Sequence, residues 1–462
     1  MVVISAGLTL LLTAVLGYLS KYKVKNSKDF VSAGNGIGVF GGTGALMGAI
    51  IGGASTVGTA QLAYTRGLAA IWFILGLCTA SILLGFVYGK VIKDKSVVTL
   101  PQIIERKFGK KTSVYASLML SFGMLIHING QVIACNSLFD TIFNWRGIAV
   151  TLLVVALLMA YVIFGGFWGG TIIGILKMTL LYGTSLIAGG YILFNLNGHE
   201  AIHNTLTDSF WYNPFNGGYI SDLGAYLSTV VGVLATQNYF QTIMATKTVK
   251  TARATGLITA FLVLPIGLVC TLVGMFMRVQ HPGIVPSTAF PLFAVTYLPK
   301  AIAGITLATI LISSLATGAG LTLGVSTIFA RDLYKSLIKR DATDEQMMRF
   351  MRLVILCIGA LTVSVTTLST DTMILNFGFM SMLFRAVPIF VPVMAALYFT
   401  DKVRSEFGIY AVIGGPISSL IWILMGMPME SAIYIGLSVS ILIMIIGGDS
   451  LKRELKKRRY GG

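Results

Sequence analysis

Runs of about twenty apolar residues recur from residue 3 to residue 447, each long enough to carry a helix across a bilayer. A segment in lipid must satisfy its own backbone hydrogen bonds, so each run folds as a helix. We count about thirteen such spans, among them 36–62, 112–140, 170–194, 221–246, 300–330 and 372–399. The chain is 55% hydrophobic and only 11% charged, far from the composition of a soluble domain. The expected fold class is an all-α polytopic membrane protein. Residues 1–462 read as one membrane domain, with a basic tail at 448–462 and no room for a kinase, nucleotide-binding or extracellular module.

The net charge of +17 invites a nucleic-acid reading, but basic residues in polytopic proteins gather in cytoplasmic loops. With the N-terminus outside, most Lys and Arg fall on the inner side: Lys21 to Lys28, Lys90 to Lys111, Lys247 to Arg253, Arg331 to Arg352, Lys402 with Arg404, and the tail. Only Arg66, Arg146, Arg278 and Lys300 fall outside. The expectation is a multi-pass cell-membrane protein with a cytoplasmic C-terminus, the lipid bilayer as its partner, no nucleic acid and no obligatory protein partner. The first run has lysines after it and none before, the reverse of a cleavable signal, so it reads as a retained span. Cys78, Cys135, Cys270 and Cys357 lie in apolar runs without metal-ligand spacing and read as packed thiols.

One span is a poor continuous helix. Gly41 to Tyr64, GGTGALMGAIIGGASTVGTAQLAY, combines many glycines with Ser55, Thr56 and Thr59, and reads as a helix broken at mid-depth. Such a break is tolerated where freed backbone groups are buried in protein or line a wet cavity, and it offers carbonyls to a cation and helix ends to a solute. Tight packing through small residues is the plainer explanation. A second interruption, at 221–246, sets Thr236, Gln237, Asn238 and Gln241 in an apolar run five spans later. That offset reverses the crossing direction, as an inverted five-plus-five repeat requires.

Two local motifs need weighing. His199-Glu200-Ala201-Ile202-His203 matches the HExxH zinc pattern, yet it lies in a short outer segment beside Gly198 without an evident third ligand, and surface histidines are the favoured reading. Lys90 to Lys111, with Pro101 and the amphipathic IIERKFG, reads as an interfacial helix.

At this point the chain resembles the sodium:solute symporter family. The resemblance is carried by IGGASTVGTAQLAYTRGLAAIWFILG from Ile51, GQVIACNSLF from Gly130, QNYFQTIMATKTVKTARATG from Gln237 and SSLATGAGLTLGVSTIFARDLY from Ser313. It implies a LeuT-like inverted-repeat core over 36–400, with one extra N-terminal and two extra C-terminal helices, and a transporter rather than an enzyme. It also implies one sodium ion between the second and ninth spans, with carbonyl ligands from Gly48, Ile51, Ser313 and Ala316 and a hydroxyl ligand from Thr317. Oxygen ligands suit a hard cation. The second sodium of some relatives is not expected, because the matching positions carry Ala319 or Gly320 and Gly174. An acidic sugar ligand of sugar-carrying relatives is matched by Ile74, which disfavours sugars.

Lys177 and Arg385 fall inside spans that contain no deep Asp or Glu, and a charge there is costly unless paired or hydrated. Lys177 has three open roles: substitute for the sodium, as in some proton-coupled relatives of the wider fold, counter-charge for an anion, or a side chain snorkelling to the inner interface. Arg385 finds its counter-charge in the solute or in carbonyls near Pro388 and Pro392. Candidate solute ligands are Ser55, Thr56, His127, Asn129, Gln131, Thr236, Gln237, Tyr239 and Arg385. The expected function is sodium-coupled symport of a small organic solute, a carboxylate-bearing anion or amino acid, by alternating access. Proton coupling through Lys177 or His127 is the alternative, and a transporter-like sensor or a channel is the second.

Overall fold

The computed structural model describes residues 1–20, 36–93, 97–368, 374–400 and 402–460. Lys21 to Lys28 and Lys95, assigned above to the inner face, lie outside them. The principal helices are α1 (Val2–Ser20), α2 (Val39–Ile50), α3 (Thr59–Arg66), α4 (Ile71–Val87), α5 (Leu100–Phe143), α6 (Ile148–Gly190) and α7 (Tyr219–Leu234). They continue with α8 (Gln237–Met244), α9 (Val249–Gln280), α10 (Lys300–Ile328), α11 (Asp344–Leu368), α12 (Ile374–Tyr398), α13 (Phe407–Leu424) and α14 (Ala432–Tyr460).

Ten helices among the described residues are long and apolar enough to cross a membrane, or eleven if α7 and α8 form one bent span. The thirteen expected from sequence are thus not all reproduced as separate long helices: Val39–Ile50 and Ile148–Ile163 are shorter apolar segments, and helical hydrogen bonding runs on through Ile148–Gly190.

Centre and periphery differ as the sequence differs. Helix α10 is rich in Ala, Gly, Ser and Thr and is buried almost throughout, packed on α5 and α6. Small residues let helix backbones approach closely where no water drives them together. Leu8 and Leu11 of α1, Leu353 and Leu356 of α11 and Leu424 of α13 instead point outward, as lipid-facing side chains do. Cys78 is partly covered, Cys135 and Cys270 are buried, and Cys357 is exposed on α11, so that thiol is not packed.

Both interruptions are breaks. Helix α2 stops at Ile50, Ile51 is extended (φ −82°, ψ 110°), and the chain re-enters a helix through a wide turn over Ala54–Gly58. Helices α7 and α8 meet at 51° across Ala235 and Thr236. At one end the two broken spans are joined directly: Ile37 N–H donates to Ala245 O (3.0 Å) and Lys247 N–H to Ile37 O (3.0 Å). The helix expected at the interface begins at Leu100 behind a Thr99–Gln102 capping box, with a proline in its first turn, the sequence signature of a helix start. It kinks at Gly109, whose φ of 83° favours a residue without a Cβ.

Candidate functional site

The break in the second span is stabilised by its own polar residues and one partner. Ser55 Oγ accepts from Gly52 N–H (2.7 Å), Thr56 Oγ1 donates to Gly52 O (2.8 Å), and Gln131 Oε1 on α5 accepts from Gly53 N–H (2.7 Å). Buried backbone groups need partners, and these contacts supply them. Ser55, Thr56 and Gln131 therefore shape the break. Gln131 Nε2 is buried without a partner.

Four oxygens converge beside the break. Ser313 Oγ donates to Ile51 O (2.9 Å), and Thr317 Oγ1 donates to the same carbonyl (3.0 Å) while lying 3.3 Å from Gly48 O. Into this cluster reaches Lys177: its Nζ donates to Gly48 O (2.7 Å), to Ser313 O (3.0 Å) and to Thr317 Oγ1 (3.3 Å). The side chain is 1% exposed, so it does not snorkel. Its reach follows from backbone approach, since a Cβ added at Gly48 would lie 2.8 Å from Gly174 Cα and one at Gly174 would strike the carbonyl of Gly44. The same contact leaves no room for an acid at residue 174. Ala316 lines an adjoining narrow cavity with Ala319 and Gly320.

The other buried cation lies between α5 and α12. Arg385 is fully buried, with Nη2 3.0 Å from His127 Nδ1, while its Nε and Nη1 have no partner. It makes no ion pair with a carboxylate among the described residues. Neither Pro388 nor Pro392 breaks α12. Buried Tyr239 lies within electrostatic reach of the guanidinium. Helices α5 and α12 can touch because Gly123 faces Ser381, whose Oγ donates to Gly123 O.

The remaining candidates separate. Asn129 bonds Leu125 O and, through Oδ1, Thr366 of α11. His127, Asn129 and Gln131 thus point to α12, α11 and the break respectively. Thr236 Oγ1 donates to Gly232 O. Gln237 grips the strand-like approach to α5, accepting from Leu100 N–H (2.9 Å) and donating to Val98 O (2.9 Å).

Asp332, which the sequence shows only as part of the SSLATGAGLTLGVSTIFARDLY stretch, has a role that its type and position alone do not reveal. Its buried carboxylate accepts from Thr99 Oγ1 (2.8 Å), Gln102 Nε2 (3.2 Å) and Ser117 Oγ (3.4 Å). Residues 98–102 are therefore a strap tied to α8 through Gln237 and to the end of the ninth span through Asp332. The T-x-x-Q spacing of Thr99 and Gln102 is the signal that marked it. The HEAIH segment does form a helix, Gly198–Thr205, and the rings of His199 and His203 stack at 6.4 Å. No group of three His, Cys, Asp or Glu able to hold a metal exists among the described residues.

An all-helical membrane protein with two broken helices, converging oxygens beside one of the breaks and buried cations has the build of a secondary transporter. The sodium:solute symporter family model matches residues 30–415, and the chain belongs to that family, whose members are transporters rather than enzymes. It is 23% identical over 471 residues to the osmoregulated proline transporter OpuE of Bacillus subtilis (strain 168), covering 96% of this chain and 93% of the relative. To the high-affinity proline transporter PutP of the same organism it is 20% identical, covering 88% and 89%. A solved Na+-coupled sialic acid symporter in a substrate-bound outward-open state superposes with a TM-score of 0.78 at 18% identity, over 96% of this chain and 97% of that one. Mhp1, a nucleobase-cation-symport-1 family transporter in a closed conformation, gives 0.60 at 11% identity, over 91% and 94%. These likenesses establish a LeuT-like fold.

Proposed function

We propose that this chain is a secondary active symporter of the cell membrane that carries a small carboxylate-bearing solute by alternating access, and that the coupled cation is a proton held on Lys177. The observation that carries the coupling is the position of the ammonium, whose three acceptors are all oxygens expected to hold sodium. An ammonium is a compact charge with three donors, so it fits a position of three or four convergent oxygens and excludes a second cation from it. The solute class rests on Arg385. A buried guanidinium with two unpartnered nitrogens, Nε and Nη1, is stabilised by an incoming carboxylate that accepts from either of them, with His127 holding Nη2. The proline carried by the Bacillus relatives is a solute of that chemistry.

Sodium coupling is the second reading. It has the support of the family and of the Gly48, Ile51, Ser313 and Thr317 oxygens, and requires Lys177 to vacate them. Uptake of a panel of amino acids and organic anions into proteoliposomes separates the two. Our reading predicts accumulation under an inward proton gradient in sodium-free buffer, abolished in Lys177→Gln. Accumulation that requires sodium and ignores the proton gradient would sink it.

A further inference from the structure

Lys177 can couple transport only if its proton has a way out. A cavity of about 30 Å³ is lined by Gly48, whose carbonyl accepts from Lys177 Nζ, and by Asn238, Thr242, Tyr161, Phe167 and Gly170; Lys177 itself lies behind Gly48 and does not line it. Phe167 and Gly170 lie beside the join between the segments Ile148–Ile163 and Phe167–Asn195, which the charge distribution puts on the inner side.

Two of the lining side chains carry buried atoms with nothing to bond: Asn238 Nδ2 and Tyr161 OH. Asn238 is 4% exposed, and its amide lies against Gly320, where an added Cβ would come within 2.5 Å of Nδ2. Thr171 and Thr242 already donate their hydroxyl hydrogens to Phe167 O and Asn238 O, so each has lone pairs left to accept. Two free donors and two free acceptors around a space of one-water size meet the requirement for a bound water.

Resting on the proton-coupled reading above, we infer that Tyr161 and Asn238 hold water in this cavity as the inner exit for the Lys177 proton. In that step Nζ gives up its bond to Gly48 O and turns to the cavity water, the Nζ–H bond breaks as the proton passes to that water, and a proton leaves the water for the inner solution. The amine left on Lys177 is neutral until it is protonated again from the outer side. Tyr161 and Asn238 act on the proton through the water they hold, so they are positioning residues.

The test compares net uptake with solute exchange in proteoliposomes. Exchange returns the loaded carrier without discharging its proton, whereas net uptake must discharge it. Tyr161→Phe and Asn238→Ala are each expected to slow proton-driven net uptake about tenfold while exchange stays within twofold of the parent, which also shows that the variants fold. Unchanged net uptake in both variants overturns the inference, and so does an equal loss of uptake and exchange. Failure of the underlying coupling is read separately, in a parent protein whose uptake ignores the proton gradient.

Discussion

At the scale of single residues, the site depends on where side chains are missing as much as on where they are present. Gly44 and Gly48 are four apart on α2, and Gly174 and Lys177 three apart on α6, so each pair shares one helix face. The glycines bring the backbones together and the lysine uses the proximity. Gly48→Ala is expected to cost about 1–3 kcal/mol through overpacking and to abolish accumulation. Gly183→Ala, where nothing lies within 4 Å of the added carbon, is expected to leave the melting temperature within a degree or two. Equal melting temperatures for both variants would contradict the close approach. Arg385→Gln removes the charge while keeping a polar tip, and solute binding is expected to weaken about 10- to 100-fold, the worth of a hydrogen bond to a charged partner. Equilibrium binding of the transported solute measures it, and an unchanged Kd would remove Arg385 from the solute site. The ingredients here were legible in sequence: a buried Lys, a buried Arg and a small-xxx-small spacing at Gly44 and Gly48. Their meeting was not, because composition fixes which residues a span contains but not how far one span slides or turns against another.

At the scale of elements, the strap at residues 98–102 and the Ile37–Thr246 pairing tie the basic ends of the broken spans together. The strap bonds α8 through Gln237 and the end of the ninth span through Asp332, while Ile37 bonds Ala245 and Lys247 across the base of α2 and α8. Such contacts must separate for that face to open. Gln237→Leu leaves Leu100 N–H and Val98 O without their partner, and should raise labelling of a cysteine at Thr242 by a membrane-impermeant thiol reagent from the basic face several-fold, in a Cys357→Ser background. Labelling no faster than in the parent would show that the strap does not hold that face closed. Gln237 was read from the sequence as a solute ligand because a polar side chain in an apolar run points to function without saying which. The breaks themselves were legible, since glycine and hydroxyl residues clustered at mid-span have few other uses in lipid. Asp332 was not, because an acid at a span end is ordinarily a solvated one.

At the scale of the whole molecule, the all-helical class, the family and the two broken spans all followed from the run of apolar segments and four motifs. The count of thirteen separate helices did not, since helical hydrogen bonding continues through Ile148–Gly190, across the boundary that the sequence reading sets before residue 170. The central claim is that this fold, in a family named for sodium, carries its own cation. It is tested most directly by the melting temperature of the purified protein as sodium replaces choline at constant ionic strength, in the parent and in Lys177→Ala. A ligand that binds only the folded state raises apparent stability. The account predicts a parent indifferent to sodium and a Lys177→Ala variant, its oxygens vacated, that sodium stabilises by several degrees. A parent stabilised by sodium, with no gain in the variant, would contradict it.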